Sequence, residues 1–259
     1  MSTLSGKNIK ELIKFSLLLF TALFSISVVY SQTSSILIHT NIPDCRNTNS
    51  QENCIIAYFK DFTVTDKNNS HTYRVLLSRD NQQRYIVQDF YSQTHHAYTE
   101  PFVIRDPQDL NKTLDDYTMV NISIDGRYIG WYPDGQKEFE FLYANGVPVG
   151  IWFGWHENGN ILFKEVKSGD LTGTELWWYK DGLPRSEKRY QRDKELAIEV
   201  WWYENGQKES EGSYINDHSR QGWWKYWYKN GQLKEESLYD QGKLQGTSKK
   251  WDENGNPIP

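Results

Sequence analysis

Cysteine is nearly missing from this chain: its 259 residues hold only Cys45 and Cys54. With no Cys-x-x-Cys spacing, a thiol redox motif is excluded. A basic excess is also missing. The chain has 29 Lys and Arg against 34 Asp and Glu, a net charge of −5, which argues against nucleic acid as a partner. Gly-x-Ser-x-Gly, Gly-x-x-x-x-Gly-Lys-[Ser/Thr], His-Glu-x-x-His and Gly-x-Gly-x-x-Gly are all absent, so the usual sequence marks of hydrolase, nucleotide and zinc-protease chemistry are not there. The six histidines include one adjacent pair, His95 and His96, whose side chains point to opposite faces of an extended strand and chelate one ion poorly. No metal, cofactor or catalytic group is therefore expected. Hydrophobic residues make up only 37% of the chain, modest for a deep core.

What is present divides the chain. Lys7, Lys10 and Lys14 precede an apolar run from Phe15 to Tyr30, followed at once by Gln-Thr-Ser-Ser. The run is shorter than the ~20 residues of a membrane span and reads as a secretory signal peptide over residues 1–31, cleaved before Gln32 behind the small residues Val29 and Ser31. The expected location is the periplasm, the cell envelope or the exterior, with no stable membrane insertion. In that oxidising setting Cys45 and Cys54 are expected to form a local disulfide. Residues 32–121 carry β-type runs such as Ile55–Phe59 and Tyr73–Leu77. All eleven tryptophans lie from Trp131 to Trp251.

The second half is periodic. Asp134-Gly135, Asn158-Gly159, Asp181-Gly182, Asn205-Gly206, Asn230-Gly231 and Asn254-Gly255 recur at intervals of 23 to 25 residues, the mark of stacked units. Each dipeptide predicts a hairpin with a type I′ turn. Four residues before every glycine stands a tryptophan: Trp131, Trp155, Trp178, Trp202, Trp227 and Trp251. Nine before stands Gly126, Gly150, Gly173, Gly222 or Gly246, with Ala197 the exception. Eight after stands Tyr143, Tyr190, Tyr214 or Tyr239, with Lys167 the exception. Residues 84–102 read as a decayed earlier copy, with Phe90 and Tyr91 in the aromatic places and Thr94 where the turn glycine belongs. Arg105 to Tyr117 then reads as a polar insertion.

Strand alternation assigns two faces. The set that ends on the six recurring tryptophans, such as Ile151, Phe153, Trp155 and Ile198, Val200, Trp202, is expected to be the core face, with those tryptophans structural. The opposite set has polar-tipped aromatics: Tyr132, Trp152, His156, Trp177, Tyr179, Trp201, Tyr203, Trp224, Tyr226 and Tyr228. Contiguous exposed aromatics mark interaction sites, so this set is the candidate binding face. Glu140, Glu187, Glu211 and Glu236 recur five residues after the turn glycine. They read as a solvated strand face with Lys or Arg partners across the strand.

The pattern Gly222, Trp224, Trp227, Tyr228, Asn230, Gly231, Lys234, Glu235, Tyr239 resembles the MORN-repeat variant of YwqK-like antitoxin-family proteins, over residues 122–259. The resemblance implies an all-β fold, an elongated antiparallel β-hairpin repeat array behind a small β-rich lead-in. It also implies a non-catalytic module with a protein partner, immunity- or antitoxin-like at the cell envelope. The array is also distantly similar to choline-binding repeats, which implies as an alternative the binding of glycan or cell wall through an aromatic ladder.

Overall fold

The computed structural model describes residues 54–113, 122–167, 173–191, 196–216 and 219–258. Residues 1–31 and Cys45 lie outside them, and with them the signal peptide and the proposed disulfide. Cys54 is buried. The described residues form eighteen strands in one sheet with two short 3-10 turns, and every pairing is antiparallel.

The N-terminal part supplies β1 (Ile55–Lys60), β2 (Thr63–Thr65), β3 (Thr72–Arg79), β4 (Tyr85–Tyr91) and β5 (Phe102–Ile104). β1 pairs with β2 and β3, and β5 pairs with both β4 and the first repeat strand. One ladder therefore runs from the lead-in into the array. The repeat hairpins are β6 (Ile124–Trp131) with β7 (Lys137–Ala144), β9 (Gly150–Trp155) with β10 (Ile161–Lys167), and β11 (Thr174–Trp178) with β12 (Pro184–Gln191). They continue with β13 (Leu196–Trp202) and β14 (Lys208–Ile215), β15 (Ser219–Trp227) and β16 (Leu233–Asp240), and β17 (Lys243–Trp251) with the stub β18 (Pro257–Ile258). The two-residue β8 (Val147–Pro148) joins β7 to β9. These are the six expected units.

The turn chemistry differs from the sequence expectation in an instructive way. In each repeat turn only the glycine is left-handed, from φ 79° at Gly206 to 89° at Gly182, and none of the preceding Asn or Asp residues is. Gly135 N–H donates to Tyr132 O, and Tyr132 N–H to Gln136 O. This is a three-residue loop, a type I turn closed by a left-handed glycine, not type I′. The Asp134 carboxylate accepts from Gln136 N–H, so the Asn or Asp acts through its side chain and not through positive φ. True type I′ geometry occurs at the opposite end of the sheet, at Asn145-Gly146 and Gln241-Gly242, where Ala144 pairs with Val147 and Asp240 with Lys243.

The core is concentrated near the lead-in, where Phe59, Val75, Val87, Phe102, Ile104, Ile122, Ile124 and Tyr128 are buried. Across it lies the Arg74–Asp89 pair, with both side chains almost wholly buried. Arg74 donates Nε and Nη2 to the two Asp89 oxygens at 2.7 and 2.8 Å, and Nη1 to the carbonyls of Leu110 and Lys112. The described start of the polar insertion is thus tied down onto the lead-in. A buried pair holds together only when its remaining hydrogen-bonding capacity is met in this way.

Candidate interaction surface

The buried face of the repeat sheet is the one expected to bind, and the physical cause lies in the glycines. Trp152 is 0% and Trp224 3% exposed, and each indole Nε1 donates to a carbonyl of the preceding unit, Leu142 O or Ser213 O, at 3.0 Å. Two residues before them Gly150 and Gly222 adopt φ 71° and 69°; the register changes between the β7–β8 and β7–β9 pairings on either side of Gly150 and shifts beside Gly222 between β14 and β15. The same left-handed glycine, Gly126, precedes buried Tyr128. A left-handed bulge residue re-aims the side chains that follow it. Where the bulge is missing, at Ala197, pairing to β12 is regular, and the residue two further on is the half-buried Glu199.

Other glycines on this face make room for rings. A Cβ on Gly130, Gly154 or Gly212 would lie 2.2 to 2.3 Å from the rings of Phe139, Phe163 or Trp224. The rings therefore lie flat against bare backbone and pack along the sheet. Phe102–Tyr128, Tyr128–Phe139, Phe139–Phe141 and Phe141–Trp152 follow one another with centroids 4.4 to 4.9 Å apart, distances typical of stabilising aromatic pairs.

Four of the five tyrosines of the expected binding face prove to be joints between units. Tyr132 donates its hydroxyl to Trp155 O at 2.7 Å, Tyr179 to Trp202 O at 2.7 Å, Tyr203 to Trp227 O at 2.8 Å and Tyr228 to Trp251 O at 2.9 Å. His156 takes the same place, with Nε2 3.0 Å from Trp178 O, as suits an aromatic substitute in a repeated slot. Tyr91 of the decayed copy reaches Trp131 O at 2.8 Å. Beside these joints, Asn158, Asn205 and Asn230 donate Nδ2 to the carbonyls of Lys180, Lys229 and Glu253 in the next turn. Every unit is thus clasped to its successor by a phenol or imidazole, and three of them also by an amide. Trp177, Trp201 and Tyr226, the remaining members of the set, are half-buried.

The opposite face, expected to be core, is the open one. Its recurring Trp131, Trp155, Trp178, Trp202, Trp227 and Trp251 are half-buried, while Ile151 is 45% and Trp223 50% exposed. Among the described residues no second layer covers this face, and the bulges direct Trp152 and Trp224 to the other. Ion pairs form at the recurring glutamates: across strands as expected for Arg127 with Glu140 and Lys225 with Glu236, but along a single strand for Lys137 with Glu140, Arg189 with Glu187 and Lys208 with Glu211. Lys137 Nζ lies 5.7 and 5.2 Å from the Trp131 and Trp155 ring centres, and Lys208 5.2 Å from that of Trp227. These lysines couple the ion pairs to the indoles. The pairs from Lys137 and Arg127 hold the Glu140 carboxyl below its usual range, against the opposing effect of burial.

A family model described as the MORN repeat variant matches residues 124–145, 197–216 and 220–241. Three segments of this chain are thus similar to MORN-variant repeats. Each matched MORN segment covers one hairpin of the array: β6 with β7, β13 with β14, and β15 with β16. No curated protein matches the chain. Within the MORN-type hairpins the left-handed turn glycine and the phenol clasp recur. No helix among the described residues is long and apolar enough to cross a membrane.

Proposed function

We propose that this chain is an exported, non-catalytic MORN-type repeat module that holds a protein partner at the cell envelope. The observation that carries this reading is the surface of β15 and β16 opposite the aromatic core. Trp223, half exposed, stands directly across from Leu238, and the Lys225–Glu236 pair at 3.5 Å flanks them. An open indole beside an aliphatic side chain, rimmed by charge, has the make-up of a protein-binding hot spot. The repeat match supports a module that binds other molecules. An immunity- or antitoxin-like role is the finer form of this proposal and rests on the resemblance to YwqK-like proteins. Stacking of glycan along the array is less well supported, because lysines lie over the rings of Trp131, Trp155 and Trp227.

The test places a photo-crosslinking amino acid at the exposed Gln245, which pairs with Leu238, and compares capture from envelope extracts with and without Trp223→Ala. The expected result is a discrete crosslinked protein whose capture Trp223→Ala lowers at least tenfold, with an unchanged melting curve. Capture equal to wild type would overturn the assignment of this surface. Intact mass of secreted material tests the export step, with the chain expected to begin at Gln32.

A further inference from the structure

The lead-in holds a cleft of about 450 Å³ between β1, β3 and the turn after β4, within the ~300–1,000 Å³ of small-molecule sites. Its wall is aromatic. Tyr73 stacks on Phe90 with centroids 5.5 Å apart, and Tyr58 lies against the other side of Tyr73 at 6.1 Å. Tyr58 is the half-buried end of that stack and presents an apolar ring with a polar tip. The rest of the lining is polar. Ser70 and Ser92 hydroxyls meet at 2.7 Å, and Ser70 donates to Lys67 O at 3.0 Å. Ser92 is then the donor to Ser70, which leaves the lone pairs of its hydroxyl to accept from a ligand.

Charge is one-sided in the cleft. Lys67 and His95 line it and, among the described residues, no carboxylate does, in a chain whose net charge is −5. The nearby Asp66 is occupied, accepting from the backbone of Asn68 and Asn69 and from the Asn69 side chain. His95 is held in place at a cost. Its φ is 57°, whereas all six repeat turns put glycine in the left-handed place of the loop. In this copy the loop is one residue longer: His95 N–H donates to Tyr91 O, and Tyr91 N–H to His96 O. The left-handed residue is therefore His95, not Thr94. A non-glycine there is strained, and such strain gathers at functional positions. The conformation sets the imidazole in the cleft with Nδ1 3.1 Å from the Tyr73 hydroxyl.

We propose that this cleft binds a carboxylated sugar. The pyranose C–H face lies on Tyr58, the sugar hydroxyls bond to Ser92 and Asn68, and the carboxylate lies between Lys67 and His95. The volume admits one such ring with its water, and Lys67 and His95 in the lining select the acid over the neutral sugar. The site is separate from the Trp223 surface, so partner capture there does not depend on it.

The test is saturation-transfer NMR and calorimetry on the full chain with glucuronate, galacturonate and, as the neutral control, glucose. At least one acid should bind saturably and at least tenfold more tightly than glucose, and Lys67→Ala should remove that preference. His95→Gly deletes the imidazole and relieves the backbone, so it should weaken binding at least tenfold with an equal or higher Tm. No saturable binding of either acid, equal binding of glucose, or unchanged affinity in His95→Gly would each overturn the proposal.

Discussion

Changing Tyr203 to Phe removes one oxygen and with it the clasp from the unit of β13 and β14 to that of β15 and β16. The hydroxyl donates to Trp227 O at 2.8 Å. A neutral hydrogen bond contributes a net ~1 kcal/mol, and the cost rises toward ~3 kcal/mol if the carbonyl is left buried and unmet. Trp227 is half-buried, so water can reach part of this site and the lower end applies. The equivalent clasps at Tyr132, Tyr179 and Tyr228 are one or more repeats away and share no partner, so their effects should add. Replacing all four with Phe should then cost about 4 kcal/mol, a large part of the ~5–15 kcal/mol of an ordinary domain. The array is sensitive to this loss because, past β9, its fully buried apolar side chains are only Ala197 and Trp224 among the described residues. Urea unfolding followed by tryptophan fluorescence reads the array selectively, since all eleven indoles lie from Trp131 to Trp251. Tyr203→Phe should lower the midpoint without changing the slope, and amide exchange should rise first in β13 to β16. A quadruple variant within ~0.5 kcal/mol of wild type would refute the clasp as a source of stability.

Three further outcomes follow from the same geometry. Trp152→Ala should cost about 3–5 kcal/mol because it empties a sealed site, while Trp155→Ala on the open face should cost less than half as much, both read from unfolding midpoints. Tyr143→Phe should be neutral or stabilise by up to ~1 kcal/mol in the same assay, because the Tyr143 hydroxyl is buried with no hydrogen-bond partner among the described residues and its removal relieves that cost. Lys112 and Ser123 hold the Asp109 carboxyl below its ordinary 3.8, against the opposing effect of burial. A lowered folded pKa stabilises above the unfolded value, and that contribution is lost as pH falls through the folded one. Asp109→Asn should therefore reduce stability at neutral pH and lessen the further loss on acidification below about pH 4, measured as melting temperature against pH.

The sequence alone determined the period, the six hairpins and the antiparallel all-β class, because glycine spacing and alternation are local properties that one unit displays by itself. It also determined that Glu140 and Glu236 would meet Arg127 and Lys225, since cross-strand neighbours follow from register, whereas Glu187 and Glu211 meet Arg189 and Lys208 of their own strands. Only the tertiary structure decided which face is buried. Alternation states which side chains share a side, but Ile151 and Trp152 are both apolar, and the choice was made by the left-handed bulge at Gly150, which seats Trp152 against the preceding unit. Tyr203 reads as an exposed aromatic until Trp227 O, a repeat away, is placed beside it. That contact exists only once the units are stacked. The cleft of the lead-in is likewise assembled from β1, β3 and the turn after β4, parts of the chain that no local pattern connects.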